Sequence, residues 1–431
     1  MIVMKFGGSS VESAEAIGRV AAIVRSQQDR RPVVVVSAMA KTTRKLMEAA
    51  DAAAAGQDPW LRFEELREYH RREAPPGAHG VLESYFSELR GVLEQIAAEG
   101  RVTPRLADQV ASFGELISSA ILAAVLGSPW IDCRQVMITD GDFTRAKPIY
   151  EETEPRLRDA LLPHLREGRV PVLGGYVGST RDGVTTTLGY EGSDFSAAIV
   201  GAAIGAEEVQ IWTDVDGILT ADPRIVRDAR RVKTLSFNEA LELSCSGSKK
   251  PHYGTLGPAS RADVPIRILN SLHHAEGTLI GRRSPAQGIK SIACKPGIHQ
   301  LTVHGPLDRT WEVCERFRPA LLTLRCEENR TELSLDRPDR LSEIRTAFES
   351  FASVEVGPGR TVVSLVSEDL ATHPDLVEAV LEAARPWEPR LVLQGVSAPC
   401  VRCLVDDQEA APVIISEIHR RIFTGQGDAV E

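Results

Sequence analysis

MIVMKFGGSSV, residues 1–11, runs an apolar stretch into Lys5 and then sets two glycines and two serines in succession. Val3 and Met4 read as the end of a buried strand, because apolar and β-branched runs bounded by glycine favour that assignment. Gly7 and Gly8 remove Cβ where the strand stops, so the backbone can turn sharply and lie close to a ligand. Glu12 begins a helical stretch. A glycine turn between a strand and a helix N-terminus, with a lysine beside it, is a seat for phosphate. The alternative is a tight βα turn with a solvated lysine.

Working outward, the first half of the chain repeats the strand–helix alternation. Ile17, Val20 and Val24 fall at helical spacing, and PVVVVSAMA (32–40) reads as a strand apolar on both faces. Residues 47–126 read as helical, with a wide apolar stripe from Val81 to Ile96. Thr103-Pro104 supplies a cap and a first-position proline for the helix carrying FGELISSAIL (113–122). RVPVLGGYVG (169–178) is another buried strand ending in glycine, and GSDFSAAIVGAAIG (192–205) a helix beginning at Ser193. VQIWTDVDG (209–217) runs from strand into turn, Ser236 and Glu239 match a capping box, and PIRILN (265–270) closes the series. Such alternation implies an α/β domain with a doubly wound, mostly parallel sheet. Ligands of such sheets sit at the carboxyl ends of the strands, where Gly7, Ser37, Gly174 and Thr213 fall.

Near Ile292 the pattern changes to short strands separated by helices at 308–318, 339–351, 374–385 and 409–422. This β-α-β-β-α-β rhythm, run twice, predicts two ferredoxin-like α+β units. The boundary is expected within 284–296, giving a domain over 1–290 and a tandem pair over 291–431.

A chain of 431 residues has room for two or three domains. Its 43% hydrophobic and 26% charged content is that of an ordinary globular protein, and a net charge of −10 argues against nucleic acid as a partner. No apolar run reaches the length of a membrane span, and residues 1–11 lack the features of a signal peptide, so a cytoplasmic protein with no membrane partner is expected. Seven scattered cysteines make no disulfide framework. Cys400 and Cys403 form one CxxC, but positions three apart in a strand point to opposite faces and no second pair completes a zinc site.

Taken together, KFGGSSV (5–11), VVVVSAMAKTT (33–43), FGELISSAIL (113–122), TTTLGYEGSDFSAA (185–198), WTDVDGILTADPR (212–224) and, more weakly, EALELSCSGSKKPH (239–252) resemble aspartate kinases of the amino-acid kinase superfamily, which carry a C-terminal pair of ACT domains. The resemblance covers nearly the whole chain. It implies ATP-dependent phosphorylation of the side-chain carboxylate of aspartate, the first step toward lysine, threonine and methionine. It implies that Lys5, Gly7, Gly8 and Ser9 hold ATP phosphates, with Lys5 neutralising the transferring group. Lys249 matches a second phosphate-side lysine, with Lys250 beside it, and Asp194 the acidic residue that orients the lysines. Thr213, Asp214, Leu219 and Arg224 match nucleotide contacts. Thr43 and Glu115 match contacts to the amino-acid substrate, with Ser37, Gly192 and Ser193 (also the expected helix cap) beside them. A carboxylate at 115 in an otherwise apolar helix could receive an ammonium; alternatively it lies on the helix's polar face. Mg²⁺ accompanies the nucleotide and needs few protein ligands, so no metal residue is named. A homodimer or larger assembly through the ACT region is implied.

The chain departs from the family's LGRGGSD, in which an arginine grips the substrate carboxylate: Tyr190 and Glu191 follow Gly189. Lys41 or Arg181 could supply the missing cation. CEENRTELS (326–334) and SAPCVRC (397–403) differ from the family's effector stretches. Two alternatives therefore stand beside aspartate phosphorylation: the same acyl-phosphate chemistry on another small carboxylate, and a non-catalytic ACT-type sensor.

Overall fold

The computed structural model describes residues 1–189, 191–248, 251, 253–284, 288–317, 320–336, 341–371, 374–388, 390–393, 400–405 and 410–423. Its contacts divide the chain into two compact units, Met1–Ile218 with Lys233–Phe237 and Lys250–Ser284, and Leu219–Val232 with Asn238–Lys249 and Pro285–Glu431.

The strands of the first unit are β1 (Ile2–Phe6), β2 (Pro32–Val36), β3 (Trp130–Ile131), β4 (Val172–Gly174), β5 (Val177–Ser179), β6 (Thr185–Thr187), β7 (Glu208–Thr213), β8 (Thr234–Ser236), β9 (Ile266–Asn270) and β10 (Thr278–Gly281). Eight of them form one sheet in the order β3-β4-β2-β1-β7-β9-β10-β8. Every pairing is parallel except β9 with β10, while β5 and β6 make a separate hairpin. Residues Val33–Val36 are fully buried, as a strand covered on both faces requires.

The helices are α1 (Ala14–Ser26), α2 (Thr42–Ala54), α3 (Trp60–Glu73), α4 (His79–Glu99), α5 (Pro104–Leu126), α6 (Cys133–Val136), α7 (Tyr150–Arg166), α8 (Gly192–Ile204), α9 (Phe237–Cys245) and α10 (Tyr253–Ala262). α5 packs with α1, α2 and α4, whereas α8 packs with α7, α10 and the strands β1 and β7. The doubly wound sheet read from the sequence is thus present. Thr103 caps α5 by accepting from Leu106 N at 3.3 Å. By length and composition α5 is a helix that could cross a bilayer, contrary to the reading that no apolar run is long enough, but most of it is buried in the core. Its apolarity serves packing.

Two local readings need correction. The run 169–178 is not one strand: Tyr176 takes a left-handed backbone (φ 64°), which ends β4 and redirects the chain into β5. Helix α8 starts at Gly192 rather than Ser193, with left-handed Glu191 as N-cap. Ser193 is therefore not the cap, because the Glu191 carbonyl already accepts from Asp194 N and Phe195 N.

The second unit has strands β11 (Ser291–His304), β12 (Ala320–Glu327), β13 (Arg330–Asp336), β14 (Ser353–Val356), β15 (Arg360–Val366), β16 (Arg390–Leu393) and β17 (Cys400–Val405), with helices α11 (Leu307–Phe317), α12 (Leu341–Glu349), α13 (Pro374–Ala384) and α14 (Ala410–Phe423). Its seven strands form one antiparallel sheet. The long β11 is shared. Residues Ser291–Lys295 pair with β15, the register breaks, and Ile298–His304 pair with β13 and β14. One ferredoxin-like module (β11 end, α11, β12, β13, α12, β14) is thus inserted after the first strand of the other (β11 start, β15, α13, β16, β17, α14). Cys403 lies in the helix-facing core with Val401 and Val405, and both thiols of the CxxC are free and buried.

Arg402, on the alternate face of β17, is 4% exposed and holds Glu242 of α9 at 2.5 Å. Removing one partner of such a pair strands the other charge, at a cost of about 3 kcal/mol. Arg402→Met should accordingly lower the urea midpoint of unfolding, and adding Glu242→Met should recover most of the loss. Equal destabilisation in the single and double variants would show that the charge pair is not the cause.

Candidate active site

β1 lies between β2, reached through α1, and β7 on its other side. The chain therefore leaves the sheet in opposite directions at the carboxyl ends of β1 and β7, which is where doubly wound sheets open a ligand crevice. Gly7 N donates to the Trp212 carbonyl at 3.2 Å, tying these two ends together. Ser10 and Ser271 are joined through their hydroxyls (2.7 Å), and Ser271 Oγ donates to the Thr213 carbonyl (3.1 Å). A Cβ on Gly8 would stand 2.6 Å from Ala38 O and 2.9 Å from Ala40 O, both backbone atoms, so only glycine fits this turn. The Ala40 amide in turn donates to the Gly8 carbonyl at 3.0 Å.

Lys5 ends β1 with its side chain 4% exposed, and its Nζ lies 2.5 Å from Oδ1 of the fully buried Asp194. Asp194 stands in the first turn of α8, where the helix dipole favours a negative charge. The close approach of α8 depends on Gly175, because a Cβ there would come within 2.7 Å of Ser193 Cα.

Glu115 projects from the middle of α5 and is 4% exposed. Burial pushes its carboxyl up to about 8, while hydrogen bonding from backbone and the Lys5 ammonium act in the opposite direction. Its Oε2 is buried without a hydrogen-bond partner. Glu115 is thus a buried carboxyl with one oxygen outside the protein's hydrogen bonds, and the polar-face alternative for it does not hold. Ser37 and Thr43 are half-buried; a Cβ on Gly114 would lie 3.2 Å from Thr43 Oγ1, and Ser118 Oγ from α5 donates to the Ser37 carbonyl at 2.8 Å.

The structure thus brings Lys5, Gly7, Gly8 and Thr213 to one end of the sheet, with Asp194 on Lys5, and sets Glu115 within electrostatic reach of that lysine. Ser9 follows in the same turn, and Thr213 Oγ1 donates to the exposed Asp214 at 3.1 Å. Gly192 and Ser193 form the buried start of α8. Leu219 and Arg224 belong to the second unit, where Arg224 is exposed and chelates Asp222. Tyr190, Lys249 and Lys250 lie outside the described residues. Of the two substitute cations, Arg181 is engaged by Glu152 at 2.7 Å and Lys41 is exposed at the start of α2. Sequence reading overlooked Asp108 and Tyr176. The first is a buried carboxylate two turns before Glu115 on α5, and the second was hidden inside a run read as continuous strand.

Residues 1–270 match the model of the amino acid kinase family. The chain belongs to that family. It is 34% identical to aspartokinase 2, chloroplastic, of Arabidopsis thaliana, over 98% of this chain and 84% of that protein. It is 32% identical to the lysine-sensitive aspartokinase 3 of Escherichia coli K12, over 98% of this chain and 99% of the relative. The crystal structure of E. coli aspartokinase III with aspartate and ADP superposes with a TM-score of 0.87 at 30% identity, covering 98% of this chain and all of that one. The family's kinase domain and the ferredoxin-like region that follows it are therefore both represented in this chain.

Burial holds the Glu115 carboxyl up at about 8 against an ordinary 4.5, so as pH rises through that interval the unfolded chain releases a proton that the folded chain keeps, and stability is lost. The loss is on the order of 4 kcal/mol if nothing else titrates there. Glu115→Gln removes the titrating group. Urea melts from pH 5 to 8.5 should show the wild type falling relative to the variant, and a pH-independent difference would contradict this account.

Proposed function

We propose that this chain is an aspartate kinase, transferring the γ-phosphoryl group of ATP to the side-chain carboxylate of L-aspartate and forming 4-phospho-L-aspartate for lysine, threonine and methionine synthesis. The observation that carries the reading is the buried Lys5–Asp194 pair at the glycine turn, with the unpartnered Glu115 carboxylate oxygen behind it. A cation fixed at a phosphate seat and a buried carboxyl that an arriving ammonium would ionise suit a kinase with an amino-acid acceptor. The likeness to aspartokinases over nearly the full chain supports the same reading.

Phosphoryl transfer has a loose transition state, so positioning and charge stabilisation supply most of its catalysis. In this reading the amides of Gly7, Gly8 and Ser9 cradle the phosphates. Lys5 neutralises charge on the group in transfer, and Asp194 keeps its ammonium in place. Thr213, Asp214, Leu219 and Arg224 serve the nucleoside side, and Lys249 with Lys250 add charge to the phosphates. Glu115 receives the substrate ammonium, while Ser37, Thr43, Gly192 and Ser193, with Tyr190 and Glu191 at the turn, surround the rest of the acceptor. Among the described residues no group of three His, Cys, Asp or Glu could hold a metal ion. Mg²⁺ carried on nucleotide oxygens and water would supply charge neutralisation at the phosphates when bound. The ferredoxin-like pair over 291–431 is read as the effector-binding and dimerisation region.

An ATP- and Mg²⁺-dependent hydroxamate-trapping assay over amino acids and dicarboxylates tests the assignment. L-Aspartate should give the largest turnover, and Lys5→Ala should reduce it by roughly 100- to 1,000-fold without unfolding the protein. Near-normal turnover in that variant would overturn the role of Lys5. Activity on another carboxylate but not on aspartate would overturn the choice of acceptor.

A further inference from the structure

The closing residues of α3 are joined to both segments that follow β1 and β2. The Tyr69 hydroxyl donates to the Glu12 carbonyl at 2.6 Å, and Glu73 Oε2 accepts from Ala14 N at 2.9 Å, where α1 begins. His70 is 1% exposed and turns to the other segment. Its Nδ1 lies 2.7 Å from the Leu66 carbonyl, and its Nε2 lies 3.2 Å from the hydroxyl of Thr42, the first residue of α2.

Those two contacts fix where the protons are. A carbonyl oxygen only accepts, so Nδ1 carries the ring proton and donates to Leu66. In a neutral ring Nε2 then holds a lone pair, and the Thr42 hydroxyl is the donor. The ring is neutral at physiological pH, since burial depresses its pKa to about 4 from an ordinary 6.5. The Thr42 proton is thereby committed to α3.

The next hydroxyl faces a different helix. α2 packs on α5, and the Cβ position of Gly114, the residue before Glu115, is 3.2 Å from Thr43 Oγ1. The loop leading into α2 is constrained as well. Ala40 holds a left-handed backbone (φ 47°), its amide donates to the Gly8 carbonyl at 3.0 Å, and Thr42 N donates to the Met39 carbonyl at 3.0 Å. A residue other than glycine keeps that conformation only where its surroundings impose it. Gly8 holds the loop from the side of β1, and His70 holds its far end through Thr42.

We infer that His70 is a positioning residue: by accepting the Thr42 hydroxyl proton it fixes the first turn of α2, and so holds Thr43 against the Gly114–Glu115 stretch of α5 for the amino-acid acceptor. The inference rests on the aspartate-kinase reading above and adds to it a residue from outside the motifs, acting on the acceptor through its neighbour's hydrogen bond.

The test uses the full chain. Thr42→Val keeps the shape of the side chain and deprives His70 Nε2 of its donor, whereas Thr42→Ser keeps the donor. Thr42→Val should raise KM for L-aspartate about fivefold to tenfold, equivalent to about 1.0–1.4 kcal/mol, and leave kcat and KM for ATP within about twofold. Thr42→Ser should stay within about twofold of the wild type throughout. His70→Phe should match Thr42→Val, and the double variant should be no worse than either single one, because both changes remove the same hydrogen bond. An unchanged KM for aspartate in Thr42→Val, an equal rise in KM for ATP, or additive losses in the double variant would overturn the inference. Where His70→Phe does not fold, the valine and serine variants decide alone. Histidine-selective NMR reads the tautomer without turnover: the His70 signal, assigned by its shift in Thr42→Val, should be that of a ring protonated at Nδ1, and protonation at Nε2 would refute the proposal. If the wild type prefers another acceptor, the aspartate reading fails by itself, and the same kinetic comparison is made with that acceptor.

Discussion

The Lys5–Asp194 ion pair is the constraint on which the rest of the catalytic unit is arranged. Burying two charges is expensive, and a pair of apolar residues would fill the same space at less cost. The fold accommodates the pair by bringing the end of the central strand β1 against the first turn of α8. That contact demands small residues where the two meet, and the absence of a side chain at Gly175 provides the room. A lysine fixed in this way needs no reorganisation when a phosphoryl group arrives, which is the physical advantage of a preorganised charge.

Two other buried acids in the same unit are treated differently from this pair. Asp108 and Glu115 stand two turns apart on the same buried helix α5. Asp108 is saturated by donors from Thr144 and Thr187, and so it fixes the loop and hairpin that border the start of α8. Glu115 keeps an unpartnered oxygen, and burial raises its pKa. The saturated acid organises structure. A core helix tolerates both because Asp108 is compensated by protein donors, while burial favours the protonated form of Glu115.

The second unit is more than a tail appended to a kinase. It incorporates Leu219–Val232 and Asn238–Lys249, segments that in the sequence lie among the catalytic motifs. Thr220 hydrogen-bonds His419 of α14 at 2.9 Å, and its carbonyl accepts from Ile292 N at 2.8 Å. α9 is fastened by Arg402 to Glu242, by Glu368 N to Glu239 and by Lys295 Nζ to the Cys245 carbonyl. The attachments come from the module containing β15, β17 and α14 together with the start of β11. The inserted module with α11 and α12 has its own core around Leu301, Leu333 and Phe348.

Much of this was legible in the sequence because it depends on local rules. The apolar run into Lys5 and the paired glycines specified a strand and a tight turn, and the valines of β2 specified a strand buried on both faces. The two-fold β-α-β-β-α-β rhythm specified ferredoxin-like units, though not that one is inserted in the other. That depends on β11 being long enough to serve both modules of one sheet, with a break between Lys295 and Ile298 that no periodicity announces. The glycine turn marked Lys5 as a candidate, and the resemblance to aspartate kinases marked Asp194 and Glu115. Only the tertiary structure could pair Lys5 with Asp194 across 189 positions of chain and leave Glu115 Oε2 without a partner. It alone bent Tyr176 out of a run that reads as strand, because a left-handed backbone there is imposed by Ser196, Leu188 and Gly192, residues distant in sequence. Burial, pairing and strain are properties of neighbours in space, and a chain read in order shows only neighbours in sequence.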